Sequence, residues 1–500
     1  MGKVVREYFY GNSTWTAPGG VKYIIVYSFK NSQQVLGGTT TTLLNSYGSA
    51  YCWGSNANGV LGNNSATSAF SSPVAVVGGL TFASLYTATS FNFGITPKGV
   101  AYGWGANGNG ELGDGSTTSR SSPVTVAGGL LFQKITANNA ASSFGLTPSG
   151  AVYAWGINGS GQLGDGTSTQ RSSPVAVLGG LAFADIVTGV TGGTTCFTVG
   201  LTTSGAAYAW GTNAKGQMGD GTTTTRTSPT AVLGGLTFSK IFLLNDTAAN
   251  GGTVFALTSS GTAYAWGSNG AGILGVGDTT PRSSPVAVLG GLSFVNIFSV
   301  IANGGASAYF LTSSGALYAT GSNSAGQLGD GTTTARSSPV AVIGGLSFID
   351  VMGGVSETTT YGLTTSGSLY AWGYNANGQL GVNDTTSRSS PVAVVGGLTF
   401  SRLATSSANN MYAMTPGGVV YAWGQNSSGS LGVNDTTPRS SPVAVVGGVT
   451  AAAAITQTVK RISVVPGTSY TVGIKQLNAQ LGAEALGAGP FDYIIVEHEI

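Results

Sequence analysis

The chain has 500 residues, of which 19 are Lys or Arg and 17 Asp or Glu, so its net charge is +2, and only 7% of the residues are charged where roughly 25% is usual. No basic run occurs, which excludes the electrostatic footprint of a nucleic-acid binder, and no stretch approaches the ~18 consecutive apolar residues of a membrane span. Gly is abundant at 82 residues, yet 41% hydrophobic content with regularly placed Trp, Tyr, Leu and Val argues against disorder, because disordered chains lack the apolar surface that offsets ordering entropy.

Residues 1–32 contain REYFYGNSTWTAPGGVKYIIVYSF, three strand-like runs around a Pro-Gly-Gly turn. They hold no apolar core of the length a secretory signal needs, so the chain is expected to be made and folded in the cytoplasm.

From residue 33 a Trp-Gly pair recurs at Trp53, Trp104, Trp155, Trp210, Trp266, Trp372 and Trp423, with Thr320-Gly321 in the one vacant place, at steps of 51 to 56 residues. Each pair closes a run such as LTPSGAVYAWG, whose alternation predicts two antiparallel strands around a Ser-Gly turn. A Gly-rich loop follows, GQLGDGTTTARSSPV in its commonest form, then AVIGGLSF and a short apolar run. Each copy therefore supplies about four short strands. A lone sheet of this kind cannot bury both faces, so copies must stack, and the absence of polar end caps favours closure over an open solenoid. The fold expected is all-β: a closed propeller of eight four-stranded blades over 33–454, with seven blades as the alternative. The Trp ladder reads as inter-blade core, with an aromatic ligand cage as the remote alternative, and Thr320 marks blade 6 as the least well filled.

Seven basic residues recur at equivalent places, Arg120, Arg171, Arg226, Arg282, Arg336, Arg388 and Arg439, and the same loops hold Asp114, Asp165, Asp220, Asp278, Asp330, Asp384 and Asp435. One Asp per Arg reads as a structural pair, the Asp accepting backbone N–H groups in the turn; a ring of calcium or anion sites is the alternative. The first copy, LGNNSATSAFSSPV, lacks both partners. The segments just before each LT strand vary most. Their polar residues Asn138, Asn139, Asn245, Asp246, Asn250, Asn303, Glu357, Asn409 and Asn410 are candidates for hydrogen-bonding sugar hydroxyls from one face of the propeller.

Residues 455–500 leave the repeat, and TVKRISVVPGTSYTVGIKQL with FDYIIVEHEI supplies three more strand-like runs. Cys52 and Cys196 lie in different copies and His498 is the one histidine, so no disulfide framework, metal site, cofactor site or catalytic set is expected. Convergence of Glu111, Asp185, Asp246, Asp350 or Glu357 would be needed for glycosidase chemistry.

The succession YAWG, GQLGDG and SPV at a spacing near 51 resembles the regulator of chromosome condensation repeat. That family's propellers generally have seven four-stranded blades, and its members are nucleotide exchange factors for a small GTPase and other protein-interaction platforms. At the ends, TWTAPGGVKYIIV and SVVPGTSYTVGI resemble the opening and closing strands of glycine-rich domains in phage tail fibres and related virion proteins. The second resemblance implies a β-sandwich made from both termini (1–32 and 455–500) with the propeller inserted between. Together they lead to the expectation of a non-enzymatic virion surface protein, a tail-fibre, attachment or capsid decoration protein. The sandwich would meet other virion proteins and the propeller a host-surface glycan or protein, without nucleic acid or membrane insertion and with a homo-oligomer open. The alternative is a cytoplasmic interaction scaffold or small-GTPase regulator. Mass spectrometry of purified virions separates the two.

Overall fold

The computed structural model describes residues 40–446 except 46–47, 67–68, 139–140, 193–194, 247–250, 301–304, 355–357, 406–409 and 427–428, together with Gln34–Leu36 and six strands in the terminal segments. Eight four-stranded antiparallel sheets follow one another, each made from one contiguous stretch of chain with its strands in sequence order. The propeller thus has eight blades. In blade 6 the strands, from innermost to outermost, are Phe294–Val300, Ser307–Thr312, Leu317–Gly321 and Arg336–Ala341.

Position within the blade explains composition. Second strands such as Phe91–Ile95 and Ser142–Leu146 are buried along their whole length, so they read as unbroken apolar or small runs instead of alternating ones. Outermost strands such as Arg171–Ala176 are half-exposed and carry Ser-Ser-Pro. A proline fits there because an edge strand leaves its outer N–H positions unpaired. In every blade the pairing of third and outermost strands shifts register at the Trp-Gly pair, for example between Ala154↔Val175 and Gly156↔Arg171. Such a bulge re-aims the side chain it contains, here Trp155 or its equivalent.

The core lies between blades. The buried apolar residues of the propeller fall into eight clusters, each shared by two neighbours. One unites Ala404, Tyr412, Ala422 and Leu431 of blade 8 with Leu43 and Trp53 of blade 1. Innermost strands also touch in succession, and Arg402–Thr405 of blade 8 lies against Gln34–Leu36 of blade 1.

Both ends of the chain share sheets. Val4–Phe9 pairs with Tyr493–Glu499, which pairs with Tyr23–Phe29, which pairs with Thr458–Ser463. Ser13–Thr16 pairs separately with Ser469–Val472. Among the described residues no helix is long and apolar enough to cross a membrane.

Candidate functional site

Each Trp of the repeat is a peg driven into the preceding blade. All seven are 0% exposed. Trp104 Nε1 donates to the Val60 carbonyl (3.1 Å), Trp155 to Glu111 (2.7 Å), Trp266 to Gln217 (3.0 Å), Trp372 to Gln327 (2.7 Å), Trp423 to Gln379 (2.8 Å) and Trp53 to Ser430 (2.8 Å). Glycine faces the indole because nothing larger fits: a Cβ on Gly432, whose φ is +72°, would lie 2.8 Å from Trp53 Nε1.

Thr320 makes the same connection with a hydroxyl, donating to the Ile273 carbonyl at 2.8 Å. The expectation that blade 6 is underfilled is corrected by Phe310. Its counterparts in blades 2, 3, 4 and 7 are Gly94, Gly145, Gly200 and Gly362, each opposite the tyrosine of the third strand. Phe310 is fully buried, 5.2 Å from Phe294 and 5.5 Å from Phe255 between ring centroids. It fills the space that the absent indole leaves.

The loops that follow the Trp strands hold a polar lattice centred on a residue that sequence reasoning missed. Asn56, Asn107, Asn158, Asn213, Asn269, Asn323, Asn375 and Asn426 stand three places after the Trp or Thr of each copy and are at most 3% exposed. Asn323 Oδ1 accepts from Leu328 N (2.9 Å), while its Nδ2 donates to the carbonyls of Thr332 (3.1 Å) and Thr334 (3.0 Å) and to Asp330 Oδ1 (3.1 Å). One amide closes the loop, and recurrence at a fixed offset was the signal for it.

The Asp-Arg pairs fall into two kinds. Asp114, Asp165, Asp220 and Asp330 have side chains 2–3% exposed, paired with Arg120, Arg171, Arg226 and Arg336 at 2.7–2.8 Å. Asp278, Asp384 and Asp435 are 40–46% exposed and pair with Arg282, Arg388 and Arg439 at i,i+4. Blade 1 keeps the geometry without charge: Asn63 Oδ1 accepts from Asn56 Nδ2 and Ser65 N, and Phe70 stands where Arg120 stands in blade 2. Replacing Asp330 by Ala is therefore expected to cost about 2 kcal/mol, because buried donors lose a charged acceptor. Asp384→Ala is expected to leave the melting temperature unchanged, since solvent-exposed pairs contribute little. Equal losses in thermal melts would contradict the distinction.

Burial alone would raise the Asp330 pKa, but hydrogen bonds from Thr332, Arg336 and Asn323 outweigh it, and the carboxyl is held below the ordinary range. Asp114, Asp165 and Asp220 share that balance. A depressed folded pKa means that the contribution is complete above the unfolded value of about 3.9 and is lost as pH falls through the folded one. The melting temperature should be level from pH 7 to about 5 and drop below about pH 4; a drop already complete at pH 5 would refute the assignment.

The varied segments join innermost to second strands. Asn138 is 5% exposed, donates from Nδ2 to Thr188 Oγ1 of the next blade (3.0 Å) and accepts from Ser142 N (3.2 Å). Asn410 is 2% exposed and donates to Ser430 Oγ at 2.6 Å. Both are committed inside the propeller and are withdrawn as ligand contacts. The backbones of Asn245 and Asp246 pair with Gly252 and Gly251, and their side chains lie outside the described residues, as do Asn139, Asn250, Asn303, Glu357 and Asn409. Of the candidate acids, Glu111 accepts from Asn109 N (2.7 Å) and Asp185 pairs with Lys134 (2.6 Å).

The family described as Regulator of chromosome condensation (RCC1) repeat matches residues 98–141, 149–198, 204–242, 314–359, 366–407 and 417–472. The chain belongs to the RCC1 repeat family. Blades 1 and 5, least represented in those matches, carry Val60 and Ile273 where Gln162, Gln217, Gln327 and Gln379 stand elsewhere. Over 352 residues this RCC1-repeat chain is 30% identical to the ultraviolet-B receptor UVR8 of Arabidopsis thaliana, covering 69% of itself and 77% of the receptor. It is 28% identical over 354 residues to the E3 ubiquitin-protein ligase HERC2 of Homo sapiens, covering 69% of itself and 7% of the ligase. Human WBSCR16 shares its fold with a TM-score of 0.53 at 18% identity, over 77% of this chain and 96% of that one. Prp20p of Saccharomyces cerevisiae does so with 0.52 at 17%, over 78% and 91%. These findings overturn the expectation of a virion attachment or decoration protein, with particle proteins and host-surface glycans as partners. The relatives are a light receptor and a ubiquitin ligase, and the eightfold repeat outweighs the short terminal likeness on which the virion reading stood.

Proposed function

We propose that this chain is a non-enzymatic interaction scaffold that holds a partner protein on the face formed by the links between innermost and second strands. The observation that carries the reading is a break in symmetry. The inner hairpin of blade 4, Phe183–Gly192 with Thr195–Thr202, and that of blade 5, Lys240–Asp246 with Gly251–Leu257, outgrow that of blade 2, Ser84–Thr87 with Phe91–Ile95. A repeated rigid frame bearing unequal projections on one face is the usual form of a recognition surface. The Asp-Arg pairs spend most of the propeller's charge internally, and among the described residues no group of three His, Cys, Asp or Glu could hold a metal. The likeness to Prp20p, whose structure was described with its binding to Gsp1p and histones, is of fold and brings neither partner here. Crosslinking followed by mass spectrometry of the native chain tests the reading against a variant in which residues 191–195 are replaced by Asn-Gly. Partner crosslinks should cluster on the blade 4 and 5 hairpins and vanish in the variant. Crosslinks confined to the outermost strands would overturn it.

Two points of architecture belong to the same proposal. The eight blades close into a ring, supported by the Trp53–Ser430 bond, the blade 8–blade 1 cluster and a bond from Asn434 N to the Ser71 carbonyl at 3.2 Å. That last bond repeats Gly331 N to Ser389 O between blades 6 and 7. Residues 1–32 and 455–500 form one β-sandwich into which the propeller of 33–454 is inserted, supported by the strand pairing between the two ends.

A further inference from the structure

Innermost strands of six blades line a cavity of about 540 Å³, inside the roughly 300–1,000 Å³ range of small-molecule sites. Its character follows from one position of the repeat. The residue directly after the Ile, Val or Leu that buries each innermost strand is Val187, Phe242, Phe298 and Met352 in blades 4 to 7, opposite Val199, Phe255, Tyr309 and Tyr361 of the second strands. In blades 3 and 8 the same place holds Thr136 and Ala404. Four adjacent blades thus bring larger apolar side chains to the cavity wall, and the blades on either side of them carry small ones.

These four side chains are half-buried. Each packs on one flank against the core cluster that its blade shares with the next, and what it leaves uncovered lines the cavity. Apolar surface held in contact with water is unfavourable, so a concavity of this kind gains by taking up an apolar body. The polar groups limit what that body is. Among the described residues that line the cavity none is charged, and both side-chain hydroxyls are already engaged. Thr405 Oγ1 donates to the Gly353 carbonyl at 2.8 Å, and Thr87 Oγ1 shares a hydrogen bond with Oγ1 of buried Thr42 at 2.9 Å. A charged ligand would lose its hydration there and meet no side chain of opposite charge, a loss that a neutral one does not incur. Phe242, Phe298 and Met352, from three successive blades, favour an aromatic ring over a saturated chain, because ring edges and a thioether sulfur attract a π system.

We propose that this cavity binds one neutral aromatic molecule of about two or three rings, held among Phe242, Phe298 and Met352. The proposal goes beyond the scaffold reading and does not rest on it, since uptake is measured on the chain alone. Fluorescence titration of the full chain with N-phenyl-1-naphthylamine, in parallel with 8-anilinonaphthalene-1-sulfonate, which adds a sulfonate to the same rings, tests the assignment. The neutral dye should bind one per chain and at least about tenfold more tightly than the sulfonate, whose charge the lining does not meet. Met352→Trp, which fills the cavity, and Phe298→Asp, which sets a carboxylate in its wall, should each weaken binding of the neutral dye at least about tenfold, with melting curves showing that the variants are folded. Leu233→Ser, at a leucine 47% exposed just after the outermost strand of blade 4, should leave binding unchanged. Absence of saturable one-to-one binding, equal affinity for the two dyes, unaltered binding by a folded Met352→Trp chain, or loss of binding in Leu233→Ser would each overturn the proposal.

Discussion

Trp53→Ala should lower the free energy of unfolding by about 3–5 kcal/mol, the range for deleting a large buried aromatic side chain, and by as much as Trp372→Ala. The comparison matters because Trp372 joins two blades adjacent in sequence, whereas Trp53 joins the first blade to the last. Trp53 is 0% exposed, lies 6.3 Å edge-to-face from Tyr412 and bonds to the Ser430 carbonyl. After truncation that carbonyl keeps the Tyr412 hydroxyl at 2.6 Å, so the loss reports packing more than an orphaned acceptor. In an open array Trp53 would sit on a solvent-exposed end face, and its removal would cost little. Denaturant titrations of the two variants decide between these cases, and a Trp53→Ala loss below half the Trp372→Ala loss would refute ring closure.

The second large effect concerns the exchanged pair in blade 6. Phe310→Gly alone should cost about 3–5 kcal/mol through the cavity it opens, and Thr320→Trp alone about 1–3 kcal/mol through overpacking. Combined, they recreate the arrangement of blade 7, where Gly362 leaves room for Phe348 and Trp372, 5.8 Å apart between centroids. The double variant should therefore be more stable than the sum of the single losses by about 2 kcal/mol, within the range of coupling between contacting residues. Strictly additive losses would show that Phe310 and Thr320 do not share one space.

This pair also shows where sequence reading stops. The eightfold Trp-Gly step announces the propeller because strand length and hairpin turns tie the period to the blade. The Thr320 vacancy is visible in the same way, but its compensation lies ten residues earlier on the neighbouring strand, and only a column-by-column comparison with Gly94, Gly145, Gly200 and Gly362 exposes it. The buried Asn series was equally legible at Trp plus three and was passed over because asparagine in a Gly-rich loop reads as an ordinary turn residue. Asn138 and Asn410 failed in the opposite sense. Each looks like a solvent-facing loop amide, and its burial depends on Thr188 in the next blade or Ser430 in the next loop, contacts that no local pattern encodes.

Every blade ends in a sheet edge covered only near its start, where the preceding blade's loop donates one backbone bond, as Gly331 N does to Ser389 O, and eight such edges on a protein with so few charges would ordinarily invite strand-by-strand growth between molecules. The proline of each outermost strand, preceded by Ser-Ser in seven blades and by Thr227-Ser228 in blade 4, interrupts that risk. Pro73, Pro123, Pro174, Pro229, Pro285, Pro339, Pro391 and Pro442 each deny a docking strand one backbone donor in the middle of the edge. In seven blades an arginine opens that same strand and adds a cost of desolvation. The repeat thus carries, strand by strand, its own obstacle to edge-to-edge pairing between molecules.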